Sequence, residues 1–195
     1  MFSDQINAHQ ATPASLYSIC GERKYLNQHE RQEFIAAVQK QPQSIRLLCL
    51  LLAFSGCRLT EALNLTHEHI LASEKAVLIR SLKKRGMISY RHIPIPNDLV
   101  TELAHLSEQQ PKRLFPWRRT RALHYVKQVL QQAGIHGIRG TARGLRHTFA
   151  TYVIQCGVPI TVLQRWLGHA SIKTTAIYTQ VLGAEERKVA ARMWR

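Results

Sequence analysis

The longest apolar run in the chain, Leu47 to Phe54, organises the reading of everything around it. A helix apolar on nearly every face belongs at the centre of a core, and the pattern predicts one from about Ser44 to a stop at Gly56. The run is far too short to cross a bilayer. Ahead of it, Asn27 and Glu30 have the spacing of a capping box, and Phe34, Ile35 and Val38 lay an apolar stripe on a helix that ends before Pro42. Behind it, Ser55-Gly56-Cys57 predicts a tight turn that delivers Arg58 to a short helix over Thr60 to Leu65. Residues 1–24 are polar, contain Pro13 and follow no period, so a loose arm is expected there.

The period changes over residues 76–96, where two β-rich runs flank Arg85-Gly86 and predict a hairpin with Lys83, Lys84 and Arg85 at its tip. Asn97 or Asp98 is expected to cap the next helix. The basic linker PKRLFPWRRTR then leads to a helix from about Arg121 to Ala133. The last third returns to helical spacing: Leu145 to Cys156, Leu167 reached from Pro159 in a first turn, Ser171 to Val181, and Ala184 to the end. The expected fold is mainly α with a small antiparallel β-hairpin sheet, without internal repeats.

Charge changes this picture more than composition does. Of 195 residues, 27 are Lys or Arg and 12 are Asp or Glu. Residues 1–110 hold 12 basic and 10 acidic side chains, whereas residues 111–195 hold 15 basic ones against only Glu185 and Glu186. A one-sided field of that strength attracts polyanions, and nucleic acid is the first partner to consider. Eighteen of the basic residues are Arg, whose planar fork matches phosphate oxygens. A solvated basic surface is the plainer alternative. The N-terminus has no basic stretch followed by an apolar one, so no signal peptide is read and a cytoplasmic location is expected. Cys20, Cys49, Cys57 and Cys156 are irregularly spaced, fitting neither a disulfide framework nor a zinc knuckle; they are expected to be reduced and mostly buried.

The motifs exclude some chemistry. There is no GxxxxGK[ST] and no GxGxxG, His67-Glu68-His69 lacks zincin spacing, and no paired carboxylates suggest two-metal catalysis. No cofactor and no metal is implied. Phosphodiester chemistry without a metal needs another source of positive charge for the transition state, and fixed arginines provide one.

Three segments supply such parts: GCRLTEALNL (56–65), RGLRHTFATYVIQCGV (143–158) and LGHASIKTTAIYTQ (167–180). In this order and spacing they resemble the tyrosine recombinase, or phage integrase, family, over about Tyr25 to Trp194. The resemblance implies that family's catalytic-domain fold over 25–195, without its N-terminal core-binding domain. It also implies site-specific cutting and rejoining of DNA through a covalent 3′-phosphotyrosine. Arg58, Arg146, His169 and Tyr178 stand at the family's catalytic positions, with Lys83, or Lys84 beside it, as the hairpin lysine. Tyr178 would be the nucleophile, Arg58 and Arg146 the phosphate clamp, His169 a further hydrogen bond and the lysine the general acid. Glu61, three residues after Arg58, is a plausible partner to hold the arginine at position 143.

Arg143 departs from the family, which has His or Lys there. A guanidinium stays charged and cannot take a proton, so an electrostatic role is expected. His147, next to Arg146, is a tempting substitute base, but a neighbouring helix position is expected to face elsewhere and it is read as structural. Lys84, Arg85, Arg118, Arg119, Arg121, Arg139 and Lys173 are candidate DNA-backbone contacts. Trp166 and Phe149 are read as core. Val189, Ala190, Met193 and Trp194 form an apolar stripe on the last helix, and the resemblance implies assembly into a tetramer on two DNA sites through that segment. Each candidate has an ordinary structural explanation by itself: Arg58 as a helix cap, Tyr178 as a packed aromatic, His169 as a turn residue. Their joint order favours function. Two other readings stay open, a DNA-binding regulator with the fold but little cleavage, and a nicking and closing enzyme without site selection.

Overall fold

The computed structural model describes residues 15–82, 88–110, 112–180 and Ala191. Lys83, Lys84, Arg85 and, apart from Ala191, the helix expected from Ala184 onward lie outside the described residues. Eight α-helices and a three-stranded antiparallel sheet are described: α1 (Gln28–Gln39), α2 (Gln43–Ser55), α3 (Leu59–Ala62), β1 (Ile70–Leu71), β2 (Ala76–Leu82), β3 (Ile88–Pro94), α4 (Asn97–Gln109), α5 (Arg119–Gln132), α6 (Ala142–Gln155), α7 (Ile160–Leu167) and α8 (Ile172–Ala176). A 3₁₀ turn, Ile177–Gln180, follows α8 directly.

Local chemistry explains most of these boundaries. The Asn27 side chain accepts the Glu30 amide at 2.8 Å while Glu30 accepts the Asn27 amide at 2.8 Å, which closes the expected capping box of α1. Helix α2 stops at Gly56, whose φ is +61°. A Cβ built there meets Phe149 Cδ1 at 2.2 Å, so both the left-handed turn and the approach of α6 demand glycine. Helix α6 begins three residues earlier than its apolar pattern suggests. Thr141 caps it by accepting the Gly144 amide at 2.9 Å, and Arg143 thereby enters the first turn. Pro96 and Pro159 occupy the N-cap positions of α4 and α7, so neither Asn97 nor Asp98 is the cap and Pro159 is not yet helical.

The sheet has one strand more than the expected hairpin. Strand β1 adds only Ile70↔Val77 and Leu71↔Ala76 to β2, too short a piece to leave a period in the sequence. Strands β2 and β3 pair from Ala76↔Pro94 to Leu82↔Ile88, placing Ile79 opposite Arg91. The long expected helix over Ser171 to Val181 is divided into α8 and the 3₁₀ turn, and Tyr178 sits on the turn.

Two buried clusters hold the chain together. The larger gathers Phe34, the Leu47–Leu52 run, Ile79, Ile93, Leu103 and Phe115 around α2, as its all-round apolarity requires. The smaller joins Phe149, Ala150 and Val153 of α6 to Leu163 and Leu167 of α7, with Tyr178 and Leu16. Trp166 packs against both clusters and is only partly buried. Leu16 has no exposed surface. Part of the segment expected to be a loose arm is therefore packed: Tyr17 bridges Arg23, and the Lys24 amide donates to Leu16 at 2.9 Å. Cys49 and Cys57 are buried, whereas Cys20 and Cys156 are exposed, so only half of the cysteines follow the expectation of burial; all four are free. Among the described residues no helix is long and apolar enough to cross a membrane.

Candidate active site

Arg146 enters the site buried and held at both guanidinium ends. Its α6 position is 8% exposed, and its Nη1 donates to the Gly56 carbonyl at 2.7 Å while Nη2 donates to the Leu167 carbonyl at 2.7 Å. Helix ends leave carbonyls without intrahelical partners. Here one guanidinium satisfies the C-terminal ends of both α2 and α7. Burial first, then the neighbouring Arg58, lower its pKa to about 10, which still leaves it charged at neutral pH.

His169 follows the α7 stop at Gly168, which has φ +68°. Its Nε2 lies 3.1 Å from Arg146 Nη2 and its Nδ1 lies 3.0 Å from Thr175 Oγ1. A guanidinium only donates. Nε2 must therefore accept, and Nδ1–H donates to the buried Thr175. Burial and then Arg146, Arg58 and Arg91 lower the His169 pKa to about 4, so the neutral ring belongs to this state. Its single N–H is engaged by Thr175, and in this arrangement the imidazole supports Arg146.

Arg58 stands at the N-cap of α3, half exposed, and is tied to Glu61. The Arg58 amide donates to Oε2 at 2.8 Å and its Nη1 donates to Oε1 at 2.9 Å. Glu61 thus holds Arg58 and not, as expected, Arg143, and it has a further partner. Arg91 Nη2 lies 2.6 Å from Glu61 Oε2, and Arg91 Nη1 donates to the Trp166 carbonyl at 2.8 Å. Ser81 Oγ donates to Oε1 at 3.0 Å. Burial works to raise the Glu61 carboxyl, but Arg91 together with the Arg58 amide and guanidinium more than offsets it and holds the pKa below the ordinary value.

Tyr178 is 2% exposed, and its hydroxyl lies 3.1 Å from His147 Nδ1. Its ring stacks on His169 with 6.4 Å between centroids and 12° between planes. Burial raises the phenol above its ordinary pKa even though Arg146, Arg143 and Arg58 pull the other way. The expectation that His147 faces away from the chemistry is corrected. Positions 143, 146 and 147 are spaced i, i+3 and i+4, which brings them to one face of α6. A cavity of about 720 Å³ is lined by Arg58, Arg143, Arg146, His147, His169 and Tyr178. A second, of about 1300 Å³, shares Arg58 and His169 and continues past Arg80 and Arg165.

The other expected residues are spread more widely. Arg119 lines the Tyr178 cavity. Arg118 and Arg119 also line a neighbouring groove with Lys112, Arg113 and Trp117. Arg121 donates to Tyr125 at 3.3 Å, Lys173 is exposed near the start of α8, and Arg139 is committed to Glu30 at 2.9 Å. Sequence reasoning left Arg91 unassigned and turned His147 away from the site. Arg91 carried a signal, since strand alternation places it on the face of Ile93, where a charge needs a partner. His147 was misread because adjacency to Arg146 hid its i+4 relation to Arg143. Among the described residues no group of three His, Cys, Asp or Glu side chains could hold a metal ion.

The chain is 33% identical over 178 residues to tyrosine recombinase XerA of Pyrococcus furiosus, covering 87% of this chain and 61% of that protein. It is 28% identical over 185 residues to tyrosine recombinase XerH of Campylobacter jejuni, covering 87% and 51% respectively. The chain thus spans about half to three-fifths of the length of these relatives. Its fold matches the crystal structure of XerA recombinase with a TM-score of 0.74 at 26% identity, over 87% of this chain and 64% of that one. The Phage integrase family matches over residues 24–185, the stretch that carries Arg58, Arg146, His169 and Tyr178 in one cavity, and the chain belongs to that family.

Proposed function

We propose that the chain is a site-specific DNA recombinase that cuts and rejoins duplex DNA through Tyr178. The observation that carries this reading is the shared cavity in which a buried phenol meets Arg58, Arg143 and Arg146, delivered by separate elements. The Tyr178 oxygen attacks a backbone phosphorus, an O–P bond forms, and the bond to the 5′ oxygen breaks. A 3′-phosphotyrosine remains, with the energy of the broken ester kept for rejoining. Reversal by a 5′ hydroxyl of another strand completes the exchange, so the cycle consumes no nucleotide.

Arg146 and Arg58 meet the non-bridging oxygens, where charge accumulates in the transition state, and Arg143 adds to the field without exchanging protons. His169 supports Arg146 from behind. Lys83, or Lys84 beside it, protonates the departing 5′ oxygen. Duplex DNA lies along the basic surface, with Lys84, Arg85, Arg118, Arg119, Arg121 and Lys173 meeting phosphates. Arg139 contributes less while it serves Glu30. The acting form is a tetramer on two DNA sites, linked through the C-terminal segment, and its location is the cytoplasm. Residues 25–195 act as the catalytic domain.

A nicked suicide duplex tests the reading, because loss of the short 5′ fragment traps the covalent state. The expected result is a detergent-resistant protein–DNA adduct that Tyr178→Phe abolishes. DNA binding with no adduct would favour a DNA-binding regulator.

A further inference from the structure

Taking Tyr178 as the nucleophile, as proposed above, leaves one step without an agent: its proton must go somewhere as the oxygen bonds to phosphorus. The buried phenol does not ionise readily by itself, since burial raises its pKa despite three arginines. Arg143 and Arg146 stay charged and cannot accept a proton. His169 faces the ring, but its Nε2 lone pair is taken by Arg146 and its Nδ1–H by Thr175. Within hydrogen-bond reach of the Tyr178 oxygen lies His147 Nδ1, at 3.1 Å.

We propose that His147 is the general base of this site, taking the Tyr178 proton on Nδ1 as the phenol attacks and returning it when the strand is rejoined. In the forward step the Oη–P bond forms, the proton passes from Oη to Nδ1, the P–O5′ bond breaks, and the 5′ oxygen is protonated by the hairpin lysine. Rejoining runs each transfer backwards.

The surroundings of His147 suit this task. Lys24 faces it from the N-terminal segment, Arg143 and Arg146 from its own helix, His169 from the turn after α7, and Tyr178 from the 3₁₀ turn. Burial first, then the charges of Arg143, Arg146 and Lys24, hold its pKa near 4, so the ring is neutral at neutral pH with a lone pair to offer. Nε2 is buried with no partner among the described residues, and the proposed step uses the tautomer in which Nδ1 accepts the Tyr178 hydroxyl hydrogen. An imidazole with so low a pKa is a weak base in the free protein. A docked phosphodiester changes that: its negative charge between Arg58 and Arg146 offsets the repulsion that disfavours the imidazolium. The base strengthens when substrate is in place, and Arg143, by keeping His147 neutral beforehand, takes a share in that control.

Two measurements test the proposal. In the DNA-free protein, imidazole ¹⁵N spectra at pH 7 should report His147 with Nδ1 unprotonated and Nε2 carrying the hydrogen, with Tyr178→Phe shifting the Nδ1 signal. Protonated Nδ1 at pH 7 would mean that the ring donates to Tyr178 and would overturn the proposal. On the suicide duplex, His147→Asn keeps an acceptor near the Nδ1 position but cannot take up the proton. Adduct formation should fall by roughly 100-fold or more at unchanged DNA affinity. His147→Ala should be restored in part by added imidazole, more at pH 8 than at pH 6. Cleavage by His147→Asn within 3-fold of wild type, with the same pH profile, would sink the idea even if His147→Ala fails to fold. Absence of an adduct from wild type itself would remove the nucleophile reading and this one with it, a result distinct from a wild type that cleaves beside an equally active His147 variant.

Discussion

Arg91 of β3 and Glu61 of α3 form an ion pair at 2.6 Å, with both side chains 10% exposed or less. The same guanidinium donates to the Trp166 carbonyl near the end of α7. One side chain from the sheet thereby joins the carboxylate that holds Arg58 to the turn that presents His169.

Removing Arg91 should therefore be costly in two ways. Arg91→Ala leaves Glu61 buried with only Arg58 and Ser81, and loss of one member of a buried pair costs about 3–5 kcal/mol. Urea unfolding at pH 7 should show that loss. The adduct rate should fall as well, and Arg91→Lys should recover stability better than rate, because an ammonium cannot span Glu61 and the α7 carbonyl together. A stability change under about 1 kcal/mol for Arg91→Ala would show that the pair is merely tolerated.

Three glycines with positive φ separate backbone strain from crowding. At Gly134 (φ +70°) a Cβ meets nothing within 4 Å, so Gly134→Ala should cost only the left-handed penalty, about 1–2 kcal/mol. At Gly168 (φ +68°) a Cβ comes within 2.8 Å of Arg91 Cδ, and at Gly56 (φ +61°) within 2.2 Å of Phe149 Cδ1. Thermal unfolding should rank the losses Gly134→Ala, Gly168→Ala, Gly56→Ala in increasing order. Equal losses at all three sites would mean that the neighbours give way freely.

Acid should weaken this fold before its carboxylates titrate. His147 and His169 are held neutral, each with a pKa of about 4, whereas in the unfolded chain they return to about 6.5. The unfolded state then binds protons first. Their contribution is fully present above pH 6.5, declines as pH falls from 6.5 to 4, and levels off below that as the folded state protonates too. For His147 the loss is up to about 3 kcal/mol. Denaturant unfolding at pH 7, 5.5 and 4 measures it, and His147→Asn should flatten the curve. A wild-type profile level between pH 7 and 5 would contradict the burial of these rings as neutral species.

DNA affinity should distinguish free from committed arginines. Arg119 lines the cavity, while Arg139 is bound to Glu30. Arg119→Ala should reduce the slope of log affinity against log salt by about 1. Arg139→Ala should leave that slope nearly unchanged and lower stability instead, by freeing the α1 cap. Titrations from 50 to 200 mM salt compare the two, and a larger slope change for Arg139 would reverse the assignment.

Much of this was legible in the chain because the signals are local. The Asn27–Glu30 box, the Leu47–Phe54 run and the Gly56 stop each depend on residues within a few positions of one another, and each appears where the pattern puts it. The errors are equally instructive. Helix α6 begins at Ala142 because Thr141 caps it, a signal hidden behind the later start of apolar spacing at Leu145. Strand β1 is too short to have a period, and Leu16 joins the smaller cluster from a segment that carries no apolar stripe.

What the sequence determined by itself is the list of chemically capable groups and the elements that carry them, since helix spacing, caps and turns are set by neighbours along the chain. What only the tertiary structure decided is which groups meet. Arg146 finds its carbonyl partners at Gly56, 90 positions away, and at Leu167, Arg91 of the sheet finds Glu61 of α3, and His147 finds Tyr178 from another element. Those pairings follow from burial: a charged or polar group drawn into the core by its neighbours must find a partner there, and the packing of distant segments supplies the partner.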